Sequence, residues 1–494
     1  MTGHPRHPTL STSPSGYGPV AGSLGPAITR SALRRLNPAL RRRVVLPSDP
    51  TYSEARRVYN TAIDKYPAVI IRCVDAADVV ESIRFARECG LPIAIRASGH
   101  NAAGHGVCEG GAVIDVAALK RIEVDQHSKT VYVGAGVTWA EFDRVTQAVG
   151  LATPGGTVSS TGVAGLTLGG GIGWLMGPYG LTCDNLIAAD LVTADGNLVP
   201  VDQRRNAELL WGLRGGGGNF GVVTSFTFRL HEIRSVVAGG LIVPLDRAAA
   251  ALGALRDLSD EIPDGLTTCP TFVTDRSGGR HLSVDVCYAG PARDAARWVS
   301  RLVRHLEPTG NTVRPQSYLE WQRYLDATFD TPMRGHWKTC FLDELPDELI
   351  EIIVGAYRAA PSRFTTLILE HFHGPMTMIG PDESAYGNRD KPYSLLITTR
   401  WESPEQDAAN VAWADELYAA TRIFSDGSGY LNYMGVEDES VVRQSYGAEN
   451  YQRLVALKNQ YDPDNVFCNN QNIRPSLARP SARQRIHNTP IRLD

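Results

Sequence analysis

The sequence predicts a protein of the α+β class, in which two regions of strands and helices flank a glycine-rich centre. Strand-like and helical segments alternate from residue 66 to residue 150, as they do where helices cover a sheet. Residues 154–174 hold eight glycines in 21 positions, and strand-like runs alternate with helices again from residue 236 to residue 423. At 494 residues the chain is too long for one ordinary domain, so two or three domains are expected.

Composition and charge argue against several classes of protein. Apolar residues make up 43% and charged residues 21%, which is typical of a globular protein. A net charge of -4 gives no general field for nucleic acid, and no apolar run is long enough to predict a membrane-spanning helix. The eight cysteines are scattered without a CxxC pair, and no apolar signal segment follows the N-terminal arginines. We therefore expect reduced thiols and a cytoplasmic protein.

The first region begins with a predicted buried strand, Pro67–Cys73, and a helix that Asp75 caps and Gly90 ends. A second strand, Pro92–Arg96, leads into a polar loop. Further predicted elements are strands at Ala112–Val116 and Thr130–Val133 and a helix that starts at the capping box Thr138–Glu141 and stops at Gly150.

The loop after Pro92–Arg96 combines groups that suit a pyrophosphate. Arg96 supplies a cation, Ser98 a hydroxyl, Gly99 a close backbone approach and Asn101 an amide. His100 would then be a nucleophilic nitrogen beside the anchored group. Taken alone, the segment fits a turn with a surface histidine equally well.

The glycines of residues 154–174 cannot fill an ordinary helix or strand interior, because each costs about 1 kcal/mol against alanine in a helix. Such a stretch is tolerated where backbone must lie against a flat ligand, and a glycine-rich surface loop is the alternative. Gly216, Gly218 and Gly221 satisfy GxGxxG, but a helix precedes them and a strand follows. That order excludes a Rossmann turn and leaves open a close backbone crossing at a cofactor.

The second region is predicted to mix strands and helices. Alternation along the strand Thr365–Phe372 places Glu370 on one face and His371 with His373 on the other. Either face could line a substrate cavity, and a satisfied structural side chain is the alternative for each residue. No third ligand accompanies the two histidines, so no metal site is predicted.

The last ordered segment is predicted to contain a strand, Gly427–Tyr433, with Tyr430 and Asn432 on one face. An amphipathic helix, Tyr446–Lys458, follows it. The amides of Asn469–Asn472 suit the polar edge of an isoalloxazine, which both donates and accepts hydrogen bonds.

Together these motifs resemble the berberine-bridge-enzyme-like FAD-linked oxidases, which have a vanillyl-alcohol-oxidase or PCMH-type flavin domain, and most closely their monocovalent bacterial type. The resemblance covers residues 45–476 and rests on six segments in the family's order: Arg96–His100, Gly162–Trp174, Tyr179–Leu186, Arg214–Thr224, Tyr430–Tyr433 and Asn465–Ile473.

The resemblance implies an architecture as well as a cofactor. It predicts an FAD-binding domain at 45–235, a substrate domain at 236–424 and a return to the FAD domain at 425–475. The polar composition of the two ends predicts a flexible leader at 1–44 and a flexible tail at 476–494. The substrate domain would be an antiparallel sheet backed by helices. FAD would be bonded through its 8α-methyl carbon to His100. Many members add a second bond from a cysteine, but Val158 stands at that position, so a single link is predicted.

A second departure from the family's pattern is Ala97-Ser98, where Gly-Gly or Ser-Gly is commoner. The predicted FAD-binding residues are Arg96, Ala97, Ser98, Gly99, His100, Asn101, Gly104, Gly156, Thr157, Val158, Gly162, Gly165, Gly169, Gly170, Gly171, Gly173, Asn219, Gly221, Val222, Val223, Tyr430, Asn432, Asn470 and Asn472.

The predicted activity is hydride removal from a carbon beside oxygen or nitrogen, with O2 reduced to H2O2. Tyr430 is the first choice of base, with Glu370 and His371 in reserve. Alcohols, amines, phenols or sugars of secondary metabolism are the expected substrates of a monomer or homodimer. The alternatives are a flavoprotein that binds a drug and protects its host, and a dehydrogenase with another electron acceptor.

Overall fold

A computed structural model describes residues 28–329 and 331–476. Its strands are β1 Val44–Val45, β2 Val69–Arg72, β3 Ile93–Arg96, β4 Ala112–Asp115, β5 Ile122–Asp125, β6 Thr130–Gly134, β7 Leu151–Ala152, β8 Leu186–Val192, β9 Leu198–Asp202, β10 Val222–Arg229, β11 His231–Glu232, β12 Ser235–Pro244, β13 Leu266–Thr274, β14 Arg280–Tyr288, β15 Gly310–Asn311, β16 Arg314–Ser317, β17 Arg334–Leu342, β18 Thr366–His371 and β19 Tyr393–Trp401.

The helices of the described residues are α1 Arg30–Leu33, α2 Pro38–Arg41, α3 Tyr52–Ala55, α4 Ala76–Glu88, α5 Trp139–Gln147, α6 Val163–Leu168, α7 Met176–Tyr179, α8 Ala207–Leu213, α9 Ala248–Asp257, α10 Ala292–Leu306, α11 Tyr318–Gln322, α12 Asp326–Phe329, α13 Asp347–Arg358, α14 Pro375–Met378, α15 Asp407–Thr421, α16 Glu439–Tyr446 and α17 Ala448–Tyr461. Among them, none combines the length and the apolar character that crossing a membrane requires.

Two sheets form the part of the molecule that carries the glycine-rich segments. The first has strand order β1-β2-β4-β3, with β2, β4 and β3 parallel. The second is antiparallel with order β5-β6-β10-β8-β9. Asp75 caps α4 through a 2.8 Å bond from the amide of Asp78, and Thr138 with Glu141 forms the capping box of α5. Both helix starts were predicted from those residues.

A third, eight-stranded antiparallel sheet has order β15-β12-β14-β13-β18-β19-β17, with β16 beside β12. Its outer face packs on α9, α10, α13 and α15 through a buried apolar core. We call the opposite surface the inner face, and it looks toward the glycine-rich segments. This mixed architecture, an antiparallel sheet backed by helices beside two smaller sheets, confirms the predicted α+β class.

Three local predictions differ from the structure. Residues 427–433 form no strand, because Gly427 has φ +89°, outside the extended region, and Leu431–Tyr433 is a 3₁₀ turn. The predicted helix Tyr446–Lys458 is divided between α16 and α17 at Gly447, whose φ is +79°. The predicted leader overlaps the described stretch 28–44, where α1, α2 and the start of β1 lie; residues 1–27 lie outside the described residues.

The reason for the last difference is burial. Leu36 and Leu40 are buried in the same core as β2 and α4, so the stretch 28–44 is anchored by apolar contacts. The predicted tail lies outside the described residues from 477 onward.

Candidate active site

The loop after β3 presents backbone rather than free charge. Arg96 pairs with Asp115 at 2.6 Å and also donates to the carbonyl of Ala55, so most of its charge is already offset. Gly99 has φ +76°, and within the described residues the backbone amides of Gly99 and His100 donate to no protein atom. Unpartnered amides at a left-handed turn are suitable donors for an anion.

His100 is held in one orientation beside this turn. Its Nε2 lies 2.9 Å from the Ser160 hydroxyl, and its ring stacks on Tyr59 with centroids 4.2 Å apart. Burial lowers the pKa of His100 to about 4, so the imidazole is neutral at pH 7. A neutral ring whose Nε2 is already engaged leaves Nδ1 as the nitrogen available for other chemistry.

The glycine-rich segment closes on the loop and opens on a cavity. The amide of Gly162 donates to Ser98 Oγ at 2.8 Å, and a Cβ at Gly169 would lie 2.2 Å from Asn432 Oδ1. Gly165 and Gly218 differ, because a Cβ at either position would meet no atom within 4 Å. Both line the cavity, so side chains there would fill it.

Amides from the C-terminal segment complete the same wall, where Asn469 donates to the His105 carbonyl at 2.7 Å and Asn470 to the Gly218 carbonyl at 3.1 Å. Asn219 donates to the carbonyls of Gly216 and Gln471 and accepts from Ile473, so its side chain holds two segments together. Asn470 Oδ1 is buried without a hydrogen-bond partner in the described part of the chain. An orphaned acceptor at a cavity wall is expected where a bound group supplies the donor.

The cavity has a volume of about 330 Å³. Its lining includes most of the predicted cofactor residues: Arg96, Ala97, Ser98, Gly99, His100, Asn101, Gly156, Thr157, Val158, Gly162, Gly165, Gly169, Asn219, Gly221, Val222, Val223, Tyr430, Asn432 and Asn470. The predicted residues that do not line it are Gly104, Gly170, Gly171, Gly173 and Asn472.

The inner face of the eight-stranded sheet closes the cavity with residues that sequence reasoning did not select as a set. They come from five separated stretches, three on strands and two on neighbouring turns and helices, and are mostly apolar: Leu325, Phe329, Trp337, Ile368, Leu396 and Tyr433. Of these residues only Tyr433 belongs to one of the six segments singled out in the sequence, Tyr430–Tyr433. Alternation along each strand could have assigned these residues to one face, but the pairing of the strands was needed to bring them together.

Tyr430 is brought to the cavity but its surroundings oppose a base. The phenol oxygen accepts from the amide of Gly171 at 2.8 Å and from Asn432 Nδ2 at 2.7 Å. Burial nonetheless raises the pKa of Tyr430, whereas the sequence-based choice required a lowered pKa. The reason is a packed apolar cluster around the ring that includes Cys183 and Tyr386.

Glu370 has the electrostatics of a base at neutral pH. It lies on the inner face, 4% exposed, and accepts a 2.8 Å hydrogen bond from the Tyr433 hydroxyl at Oε1. Burial raises the pKa of Glu370 to about 7, and the bond from Tyr433 offsets part of that rise. Tyr433 lines the cavity, so its phenol connects the carboxyl to the space where a substrate would lie.

His371, the other reserve base, is not brought to this cavity. It lies on the outer face near Leu252 and Leu255 of α9, and stacks on His373 with centroids 4.8 Å apart. Burial lowers the pKa of His371 to about 3, so the ring is neutral and remote from the cavity.

The residues fit FAD on three structural grounds. The cradle at Gly165 and Gly218 would be filled by side chains, the amides near Gly99 lack partners, and Asn470 carries an orphaned buried acceptor. An anionic linker and a ring edge that donates hydrogen bonds would satisfy these groups.

Comparison with known proteins gives the same cofactor. A family model described as an FAD binding domain matches residues 67–202, and a model described as berberine and berberine like matches residues 429–474. The two matches include the glycine-rich segment and the C-terminal amides.

Full-length relatives are similar over most of the chain. An FAD-linked oxidoreductase of Dictyostelium discoideum is 30% identical over 421 residues, which cover 84% of this chain and 91% of that protein. The (R)-6-hydroxynicotine oxidase of Paenarthrobacter nicotinovorans is 29% identical over 445 residues, covering 87% and 96%. The crystal structure of 6-hydroxy-D-nicotine oxidase from Arthrobacter nicotinovorans matches with a TM-score of 0.79 at 28% identity, covering 88% of this chain and 98% of that one.

Proposed function

The chain belongs to the berberine-bridge-like FAD-linked oxidoreductases, and from that premise we propose that it is an oxidase that removes a hydride from a carbon beside oxygen or nitrogen of a small organic substrate. Residues 45–235 and 425–475 would hold the cofactor, and residues 236–424 would cover the substrate. Bound FAD would supply the redox chemistry, accepting the hydride and passing two electrons to O2 to give H2O2.

The chain's own residues would hold the cofactor at two places along the cavity lining. The loop around Gly99 offers amides to the pyrophosphate, and Asn470 offers an acceptor to the ring edge. We propose that the neutral Nδ1 of His100 carries a single covalent bond to the flavin, because Ser160 occupies Nε2. Val158 lines the cavity without a thiol, and Cys183 is buried away from it, which supports one link only.

The observation that carries the proposed reaction is the pair Glu370 and Tyr433. A carboxyl with a pKa near 7 can take a proton at neutral pH, which is the property that general-base catalysis requires. The Tyr433 hydroxyl would accept the proton from the substrate's O–H or N–H while giving its own to Glu370 Oε1. Glu370 therefore replaces Tyr430 as the proposed base.

Tyr430 keeps a different proposed role. Its oxygen accepts two hydrogen bonds from the glycine-rich segment and from Asn432, and its ring meets Tyr433 edge to face with centroids 4.7 Å apart. The hydrogen bonds fix the ring of Tyr430, and the ring contact in turn fixes the position of Tyr433. We propose that Tyr430 orients the relay and does not itself take the proton.

The wall of the cavity on the substrate side is aromatic and aliphatic, as Phe329, Trp337, Ile368 and Leu396 show. Such a wall favours a compact apolar substrate, in which the reacting nitrogen or oxygen is the main polar group. Oxidisable amines of that kind, including both enantiomers of 6-hydroxynicotine, are suitable first probes, and cellobiose is the polar contrast.

The proposal is tested by mixing purified FAD-loaded protein anaerobically with each probe and following the visible absorbance of the flavin. Bleaching followed by rapid recovery in air, with stoichiometric peroxide, is the expected result. Bleaching with slow recovery in air but fast recovery with an artificial acceptor would replace the oxidase by a dehydrogenase. Saturable binding without bleaching would favour a drug-binding protein.

The covalent link has a separate test. Acid precipitation should leave the yellow colour in the pellet, and peptide mapping should find the flavin on the peptide that contains His100. The variant His100→Ala should release all flavin to the supernatant. Free FAD from the unsubstituted protein would remove the covalent bond from the proposal and leave the redox activity untouched.

A further inference from the structure

A row of acidic and thiol side chains crosses the inner face next to Glu370. Cys269 of β13 is directly opposite Asp285 of β14. On its other side β13 pairs with β18, where Thr271 is opposite Ile368, and the same register places Cys269 beside Glu370. Facing side chains on neighbouring strands are separated by about 4.5–5.5 Å between Cβ atoms, so the three side chains are neighbours. Glu370 Oε2 is buried without a hydrogen-bond partner among the described residues, which leaves it available to the Cys269 thiol after a side-chain adjustment.

The far end of the row meets Tyr324, a residue that is partly exposed at the surface. Asp285 is 1% exposed and accepts hydrogen bonds from Ser283 Oγ at 2.6 Å and from the Tyr324 hydroxyl at 3.1 Å. Tyr324 is 39% exposed and stacks on Trp321 at the edge of the sheet. Thr271 lies between the two ends. Its hydroxyl donates to the Cys269 carbonyl at 3.1 Å, and its Oγ1 is 3.8 Å from Cys269 Sγ, so the hydroxyl has to rotate from that carbonyl to serve Asp285.

Glu370 needs such a connection if it is the base. A proton that it accepts must leave before the next turnover, and the carboxyl is 4% exposed. Tyr433 covers it on the cavity side, where cofactor and substrate would exclude water.

We propose that the row Glu370, Cys269, Asp285 and Tyr324 is the path by which the catalytic proton reaches bulk water. The proposal rests on the proposed role of Glu370 as the base. It assigns to Asp285 the part of a proton acceptor that touches neither substrate nor cofactor.

The proton balance requires no further reactant. Glu370 gives its proton to the Cys269 thiol as the thiol passes its own through the Thr271 hydroxyl to the Asp285 carboxylate. Glu370 is thereby returned to the carboxylate and Asp285 becomes the acid. Asp285 then releases the proton to water at the Tyr324 hydroxyl, and the thiol and both hydroxyls end unchanged.

The surroundings of Glu370 and Asp285 give the two carboxyls similar pKa values. Burial raises the pKa of Glu370 and of Asp285 to about 7, so neither traps the proton. The groups that face Glu370 are Tyr433, Ser394, Tyr430, Tyr386 and Cys269. Those that face Asp285 are Ser283, Thr271, Tyr324 and Cys269. Within the described residues neither carboxyl has an ion pair with a lysine or arginine.

Hydrogen–deuterium exchange of the buried Glu370 carboxyl tests the path without any substrate. FAD-loaded protein is diluted into D2O below neutral pH, and the shift of the carboxylic C=O infrared band is followed over time. The band is assigned by its loss in Glu370→Gln. We expect Asp285→Asn and Cys269→Ala each to slow the exchange, by about a hundredfold, the lower end of what a positioned proton-transfer group contributes.

Asp143→Asn is the matched control. Asp143 is another buried carboxyl whose pKa burial raises to about 7, but it lies on α5, bonded to Gln322 and outside the row. Exchange that slows in both row variants and not in the control supports the path. Exchange that stays at the native rate in both row variants, or slows equally in Asp143→Asn, overturns it.

The two proposals fail separately. If Glu370→Gln turned over as fast as the native protein, the base would be wrong while the exchange result would stand. Cys269→Ala leaves both carboxyls in place, so it carries the test if Asp285→Asn does not fold.

Discussion

The two walls of the cavity are built in different ways. The floor, made of the loop at 96–101, the glycine-rich segment and the C-terminal amides, presents backbone groups and small residues. The roof, made of the inner face and Tyr433, presents bulky side chains and one carboxyl behind a phenol. Backbone groups do not depend on side-chain identity, so they suit the binding of a cofactor that many enzymes share. Side chains can be replaced, so a wall built from them can change with the substrate.

This difference separates binding from catalysis in experiments. Side chains added to the floor should prevent cofactor binding and keep the fold intact, because glycine residues there leave the cavity beside them empty. Changes to the roof should keep the cofactor and slow the reaction, because the roof contributes the proposed proton acceptor.

Gly165→Leu should have the largest effect, the complete loss of bound FAD. A side chain at Gly165 meets no atom within 4 Å and would occupy the cavity, while the helix α6 around it would remain. The measurement is the ratio of visible flavin absorbance to protein absorbance after purification and after incubation with FAD.

Gly355→Leu is the control for that variant. Gly355 lies in α13, is also exposed, and also has no atom within 4 Å of a Cβ, but it lies far from the cavity. It should retain a full complement of FAD. Equal flavin content in the two variants would show that the floor is not the binding wall.

Glu370→Gln should lower turnover by about 10²–10⁴-fold, the usual contribution of a positioned base, with FAD content unchanged. In the native protein the carboxylate is the active form, so the rate should rise with pH, pass its midpoint near pH 7, and level off above it. The measurement is kcat against pH for a substrate found in the anaerobic assay.

Tyr433→Phe sharpens that result, because it removes the hydroxyl and keeps the carboxyl. It should lower turnover and move the midpoint upward, because the hydrogen bond that lowers the pKa of Glu370 is lost. If Glu370→Gln turned over at the native rate, the base would have to be another residue of the site.

The floor could be inferred from the sequence because its residues are close together in the chain. Arg96–His100 and Gly162–Trp174 are compact segments whose composition suits a ligand and whose order along the chain, together with the other motifs, indicates one. The roof could not, because Trp337, Ile368 and Leu396 become neighbours only through strand pairing.

The surroundings of Tyr430 could not be predicted for the same physical reason. Its pKa depends on burial by Cys183 and Tyr386, which lie more than 40 residues away in the chain or on another element. Alternation placed Glu370 and His371 on opposite faces of the strand. It did not show which of the two faces lines the cavity. Secondary structure was least predictable at residues 427–433, where glycine rather than pairing determines the backbone.

Asp143 is a buried carboxyl beneath the floor and has no route to the cavity. It can therefore be compared with Glu370, the carboxyl of the roof. The folded-state pKa of Asp143 is about 7, above its ordinary 3.8, so the native state holds a proton that the unfolded state releases. Its contribution to stability is present at low pH and is lost as pH rises from about 4 to about 7. Asp143→Asn should remove this part of the slope, up to about 4 kcal/mol in the free energy of unfolding.

Urea unfolding of Asp143→Asn and the native protein at about pH 5 and about pH 8 measures that slope. The variant should gain most at the higher pH, while its kcat–pH midpoint should match that of the native protein. A shifted midpoint would mean that Asp143 communicates with the site, and an unchanged stability slope would mean that its carboxyl titrates normally.

Tyr430→Phe should have the smallest effect, a loss of about 1–3 kcal/mol in stability, because it leaves the amide of Gly171 and the side chain of Asn432 without their shared acceptor. Turnover should fall less than in Glu370→Gln, since the proposed base and relay remain. The kcat–pH midpoint should stay near 7, because burial fixes the pKa of Glu370 independently of this hydroxyl. The measurements are thermal unfolding and the kcat–pH profile, compared with those of Glu370→Gln. A profile that lost its midpoint in Tyr430→Phe and kept it in Glu370→Gln would return the role of base to the phenol, and with it a catalytic role to the residue that joins the floor to the roof.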